Sequence, residues 1–181
     1  PFEKVLGDLD ARVAEGWKEA KVKPAQRLDD ASFFRRLSLD LAGRIPSEDV
    51  ARGLTKRRKS ASREELVDAV IHSRDYARFM AVRWANLLVG RSVLAQSGAR
   101  PPLVRWLENQ IAGNVAWDEI VQDLLTAEGA VSENGATQYL LAYRNKPEEL
   151  AGNAMRVFQA QQVQCAQCHD HPYKDNWKQK D

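Results

Sequence analysis

Residues 147–171 read PEELAGNAMRVFQAQQVQCAQCHDH, and their periodicity is the strongest statement the chain makes about its fold. From Glu148 onward, Leu150, Ala154, Val157, Phe158, Gln161, Cys165 and Cys168 recur at steps of three and four. That spacing gathers side chains on one face of a helix. Pro147 suits the first helical turn, where its missing N–H removes no hydrogen bond. The expectation is one long helix that carries both thiols on the face it buries, places His169 beside them, and is broken by Asp170, His171, Pro172 and Tyr173. An apolar core behind such a helix would wall whatever the thiols hold.

The same period recurs upstream. Phe2, Val5, Leu6, Leu9, Val13 and Trp17 predict an amphipathic helix over about residues 2–20, closed off by Pro24. Asp29 or Asp30 caps a helix bearing Phe33, Phe34, Leu37 and Leu41, stopped by Gly43 and Pro46. Ser47 starts a short helix with Glu48 and Asp49 in its first turn. Lys56 to Ser62 reads as a solvated basic loop in preference to a phosphate or lipid patch, because the chain as a whole is nearly neutral. Ser62 and Glu65 then form a capping box before Leu66, Val67, Val70 and Ile71.

A helix over about residues 75–89 carries Tyr76, Phe79, Met80, Trp84, Leu87 and Leu88, a stripe expected in the core and also suited to wall a pocket. Gly90 to Pro102 reads as a loop. Two helices follow, one with Leu103, Val104, Trp106, Leu107 and Ile111, the other with Trp117, Ile120, Val121, Leu124 and Leu125, ended by Gly129. A polar loop and a short helix with Tyr139, Leu140, Leu141 and Tyr143 complete the chain before Pro147. No strand-like alternation occurs, so the fold expected is all-α: a single globular bundle of about seven to nine helices with the cysteine motif at the end of the last long helix. The expected division is an N-terminal helical extension, 1–26, and a helical domain, 27–181.

With 181 residues, 44% hydrophobic and 29% charged, the chain can bury one sizeable core. Its 27 basic and 25 acidic side chains nearly cancel, which argues against nucleic acid as a partner. No apolar run approaches the ~20 residues of a membrane span. The N-terminus lacks a basic-then-apolar signal pattern, so a mature or trimmed species is expected.

Both cysteines and two of the three histidines fall within Cys165 to His171. Cys165-Ala166-Gln167-Cys168-His169 is a C-x-x-C-H sequence, the attachment pattern of c-type haem. Two thiols three residues apart can each add to one vinyl group of a single porphyrin, and the adjacent imidazole then meets the iron. The prediction is one covalent haem c, thioether-linked at Cys165 and Cys168, with His169 as proximal iron ligand. Competing readings are zinc, which usually draws ligand pairs from separated stretches, a dithiol redox pair, which wants a neighbouring strand, and two cysteines without chemistry.

The distal iron ligand is open. Met155 lies 14 residues before His169, ~21 Å along a continuous helix, and springs from the proximal side. His171 suits a second-shell contact or a plain loop position. His72 and Met80 come from other helices and are weak candidates. Two protein ligands would mean electron transfer, and a vacant position small-molecule or peroxide chemistry.

Three segments, Phe33 to Pro46, Trp117 to Ala127 and Gln164 to Tyr173 followed by Trp177, resemble the planctomycete cytochrome-associated domain of unknown function numbered fifteen-forty-nine. The resemblance covers about residues 27–181 and leaves the N-terminal helix outside. It implies an exported bacterial protein, commonly the front part of a longer polypeptide that continues past the Trp177 region, with haem on Cys165, Cys168 and His169. It implies no established activity. The expected function is therefore a monohaem c-type cytochrome domain transferring electrons outside the cytoplasm, in the periplasm or cell envelope, to a redox partner protein or within a host complex. The alternatives are a five-coordinate haem peroxidase or gas-binding domain, and a structural or interaction module with zinc or no cofactor.

Overall fold

Local capping chemistry sets several of the helix starts. In the computed structural model, which describes residues 2–57, 62–96, 101–170, 173 and 178, the Asp29 carboxylate accepts from the backbone N–H groups of Ala31 (3.0 Å) and Ser32 (3.1 Å) and from the Ser32 hydroxyl (2.7 Å). These bonds, the Ser32 hydroxyl foremost, hold the carboxyl below its usual range. They begin α2, Asp30–Ala42, which follows α1, Phe2–Glu19.

Gly43 ends α2 at φ 68°, where an added Cβ would run into the Phe79 ring. Helix α3, Glu48–Arg57, starts with the Ser47 hydroxyl facing the Val50 amide at 3.5 Å. The helix runs through Lys56 and Arg57, so the basic stretch is in part helical; residues 58–61 lie outside the described residues. The predicted capping box opens α4, Arg63–Ile71, with Ser62 and Glu65 each accepting the other's backbone N–H.

Helix α5, Arg74–Gln96, departs from expectation. The sequence predicts a stop at Gly90, whereas the helix bends there, with Gly90 at φ 81° and ψ 160°, and continues to Gln96. Glycine tolerates that positive φ without a Cβ clash, and the buried Leu94 anchors the second half. Then come α6, Pro102–Ala112, α7, Trp117–Leu125, α8, Thr137–Ala142, and α9, Pro147–Gln159. Among the described residues the structure is helical without strands, as the all-α reading has it. Two compact units are distinguished, residues 1–33 and residues 34–181.

In the larger unit α5 and α6 form the central packed pair. The deep line of α5 is Ala77, Ala81, Ala85 and Leu88, each 1% exposed or less, while Leu87 is 44% exposed. Of the expected stripe, Leu88 lies on that line and Trp84 packs against the core, while alanines make up the rest of the line. Small side chains on the line let α6 come close enough to seat the fully buried Leu103 and Leu107. Ile120 and Leu124 of α7 and Tyr139 of α8 close the core, with Leu150, Val157 and Phe158 of α9 packed against it.

Candidate functional site

Helix α9 sets the position of the C-x-x-C-H stretch, but by ending early. It stops at Gln159, Ala160 adopts the left-handed conformation at φ 55°, and the Gln161 amide donates to the Met155 carbonyl at 3.1 Å. This bond runs from i to i−6, one residue wider than the Schellman closure, in which glycine normally supplies the left-handed residue. An alanine in that conformation costs roughly 1 kcal/mol. The continuous helix expected from Glu148 to Cys168 is thus broken at Ala160, and the distance along it used to set Met155 aside does not hold.

The chain resumes as a 3-10 turn, Gln164–Gln167. Gly152 of α9 is buried, and a Cβ there would lie 3.0 Å from Gln164 Cγ. The turn therefore rests on the middle of α9, at the one place in that helix without a side chain. Cys165 and Cys168 are both exposed, so they do not lie on a buried helical face as predicted. The local geometry is nonetheless compact. The Cys165 carbonyl accepts from the amides of Cys168 at 3.4 Å and of His169 at 3.3 Å, which winds both thiols and the imidazole onto one turn.

The His169 ring is exposed, and its Nδ1 lies 2.7 Å from the Asp170 carbonyl oxygen. A carbonyl can only accept, so Nδ1 donates, and in the neutral ring the lone pair is then on Nε2. That is the tautomer a metal-ligating histidine uses, with the second nitrogen oriented by a backbone carbonyl. Lys178 bonds the Asp170 carboxylate at 3.0 Å and ties the downstream chain to the same turn.

These residues suit a c-type haem. Both sulfurs are open to a porphyrin edge, their carrier turn is hydrogen-bonded, and the adjacent imidazole presents one lone-pair nitrogen. Among the described residues, no group of three or more His, Cys, Asp or Glu side chains gathers as a metal ion would require. His171 lies outside the described residues.

The weaker candidates sit on other elements. His72 caps the C-terminus of α4 with its Nδ1 donating to the Asp68 carbonyl at 2.8 Å. It lines a cavity of about 240 Å³ together with Tyr76, Trp84 and Trp117. Met80 is half-buried within α5. Neither shares an element with the cysteines.

Sequence reading missed an aromatic run that crosses four helices. Trp84 of α5 and Trp117 of α7 stand 4.1 Å apart between ring centroids; Trp117 and Phe158 are 6.3 Å apart, and Phe158 meets the edge of Tyr139 at 6.2 Å. Each ring was legible only as part of its own helix, since centroid distances depend on how the helices pack. Phe158 belongs to the last turn of α9, so the run fixes the point from which the chain turns toward the cysteines.

No curated protein and no solved structure matches the sequence. A family model does match, over residues 8–181, and this span takes in most of α1, which the resemblance drawn from residue 27 onward left out. The chain belongs to that family, PSCyt2, described as a protein of unknown function (DUF1549).

Proposed function

We propose that this chain is a monohaem c-type cytochrome domain that passes single electrons outside the cytoplasm, to a redox partner protein or within a larger complex. The observation that carries the reading is the turn at Cys165 to His169. One carbonyl holds both thiols and the imidazole on a single turn, and with Nδ1 on the Asp170 carbonyl His169 Nε2 is the nitrogen that would ligate iron. When bound, the haem supplies a one-electron iron couple whose potential depends on axial ligands and solvent exposure.

The chain's own part is division of labour. Cys165 and Cys168 would hold the porphyrin through thioether bonds, His169 would ligate the iron, and Gly152 seats the turn on α9. Export follows from the chemistry, because c-type attachment takes place outside the cytoplasm.

Expression in a host that matures c-type haem tests the reading. The expected product gains the mass of one haem and gives a c-type pyridine haemochrome spectrum. Cys165→Ser combined with Cys168→Ser is expected to abolish covalent retention, and His169→Ala to alter the ferric and ferrous spectra. An unmodified polypeptide mass from that host would overturn the proposal, and zinc without iron by X-ray fluorescence would replace it with the structural-module reading.

A further inference from the structure

Between α5 and α6 lies another cavity, of about 270 Å³, into whose walls Arg78, Arg91 and Arg105 are built against one carboxylate, Glu108. Arg36, Arg44 and Arg52 elsewhere in the chain each have an acidic partner. Among the described residues, the side chains of Arg78, Arg91 and Arg105 have none, neither an ion pair nor a hydrogen bond. Among the described residues that line the cavity, three arginines stand against one carboxylate, a formal surplus of two positive charges.

The convergence depends on the bend in α5. Arg78 and Asn86 stand eight residues apart on its first half and share a face. On an unbroken helix Arg91 would sit about 140° round the axis from Asn86. The backbone break at Gly90 instead brings Arg91 and Leu94 into the wall that Arg78 and Asn86 also form. Arg105 comes from the first turn of α6. All three arginines are exposed, so water screens their mutual repulsion, while an anion held between them would be attracted by each.

The geometry points to a binding site for a doubly charged phosphate group bearing a small apolar substituent. Guanidinium forks match phosphate oxygens in pairs, and the surplus of two positive charges matches a phosphomonoester better than a single carboxylate. Val82, Leu94 and Val104 supply an apolar floor. The volume lies just below the range of ordinary ligand pockets, which excludes a nucleotide-sized occupant.

The test is an NMR titration of the whole protein that follows the arginine side-chain N–H signals with phenyl phosphate, with inorganic phosphate, and with sodium chloride at matched ionic strength. Saturable shifts from phenyl phosphate, weaker ones from inorganic phosphate and none from chloride are expected. Arg91→Gln and Arg105→Gln should each weaken binding about tenfold without changing Tm, and Glu108→Gln should tighten it. Equal affinity for the two phosphates would keep the site and make free phosphate its ligand. Absence of saturation by either, or saturation indifferent to both arginine variants, would overturn the assignment.

Discussion

Gly135→Ala is expected to lower the unfolding free energy by about 3 kcal/mol, a cost typical of severe overpacking, measured as a shift in urea midpoint at constant slope. An added Cβ would lie 2.8 Å from the Pro102 carbonyl carbon and 2.8 Å from Trp106 Cβ, and closer still to the Pro102 carbonyl oxygen. Backbone atoms cannot swing aside as a side chain can. The loop before α8 must separate from the start of α6, and those two segments enclose the core around Leu103 and Tyr139. Gly53→Ala is the matched control. Among the described residues nothing lies within 4 Å of its new methyl group, and its position inside α3 favours alanine by about 0.5–1 kcal/mol. Equal behaviour of the two variants would show that the α6 to α8 approach is looser than described.

Tyr139→Ala is expected to cost about 4 kcal/mol, as large-to-small changes at buried aromatics do. Tyr139 is fully buried, meets the edges of Tyr143 and Phe158, and donates its hydroxyl to Asn153 Oδ1 at 3.1 Å. Tyr139→Phe keeps the ring and strands the buried Asn153 acceptor, for about 1–2 kcal/mol.

The two variants also separate in alkali. Burial, with Tyr143 beside it, raises the Tyr139 phenol above its ordinary value, against a smaller lowering by Arg156. The unfolded chain then loses this proton near pH 10 while the folded chain keeps it, so stability falls as the pH rises beyond that point. Tyr139→Phe should flatten the loss without removing it, because burial raises Tyr143 as well. A pH profile of Tm identical to the wild type above pH 10 would contradict this.

The helices were legible wherever capping chemistry or period was local. Ser62 with Glu65, Asp29 with Ser32, and Pro147 all mark boundaries through atoms a few residues away. What the sequence hid depends on distant packing. Gly90 reads as a stop, yet burial of Leu94 carries the helix past it. Ala160 looks helical, yet the chain reverses there because the following turn finds its seat at Gly152. The identity and spacing of Cys165, Cys168 and His169 were readable outright, whereas their exposure and the His169 tautomer required the fold.

The beginning of α6 has a dependence of another kind. Pro101 offers no side-chain oxygen to cap the helix, and the Leu103 amide instead donates to Gln138 Oε1, 35 residues away, at 2.9 Å. Most helix ends fray by themselves within a native protein. This one cannot open unless α8 leaves with it, so in deuterium oxide the Leu103 amide should exchange at the rate of whole-domain unfolding. The turn that looks most peripheral in α6 then serves as a reporter of the cooperativity of the entire larger unit.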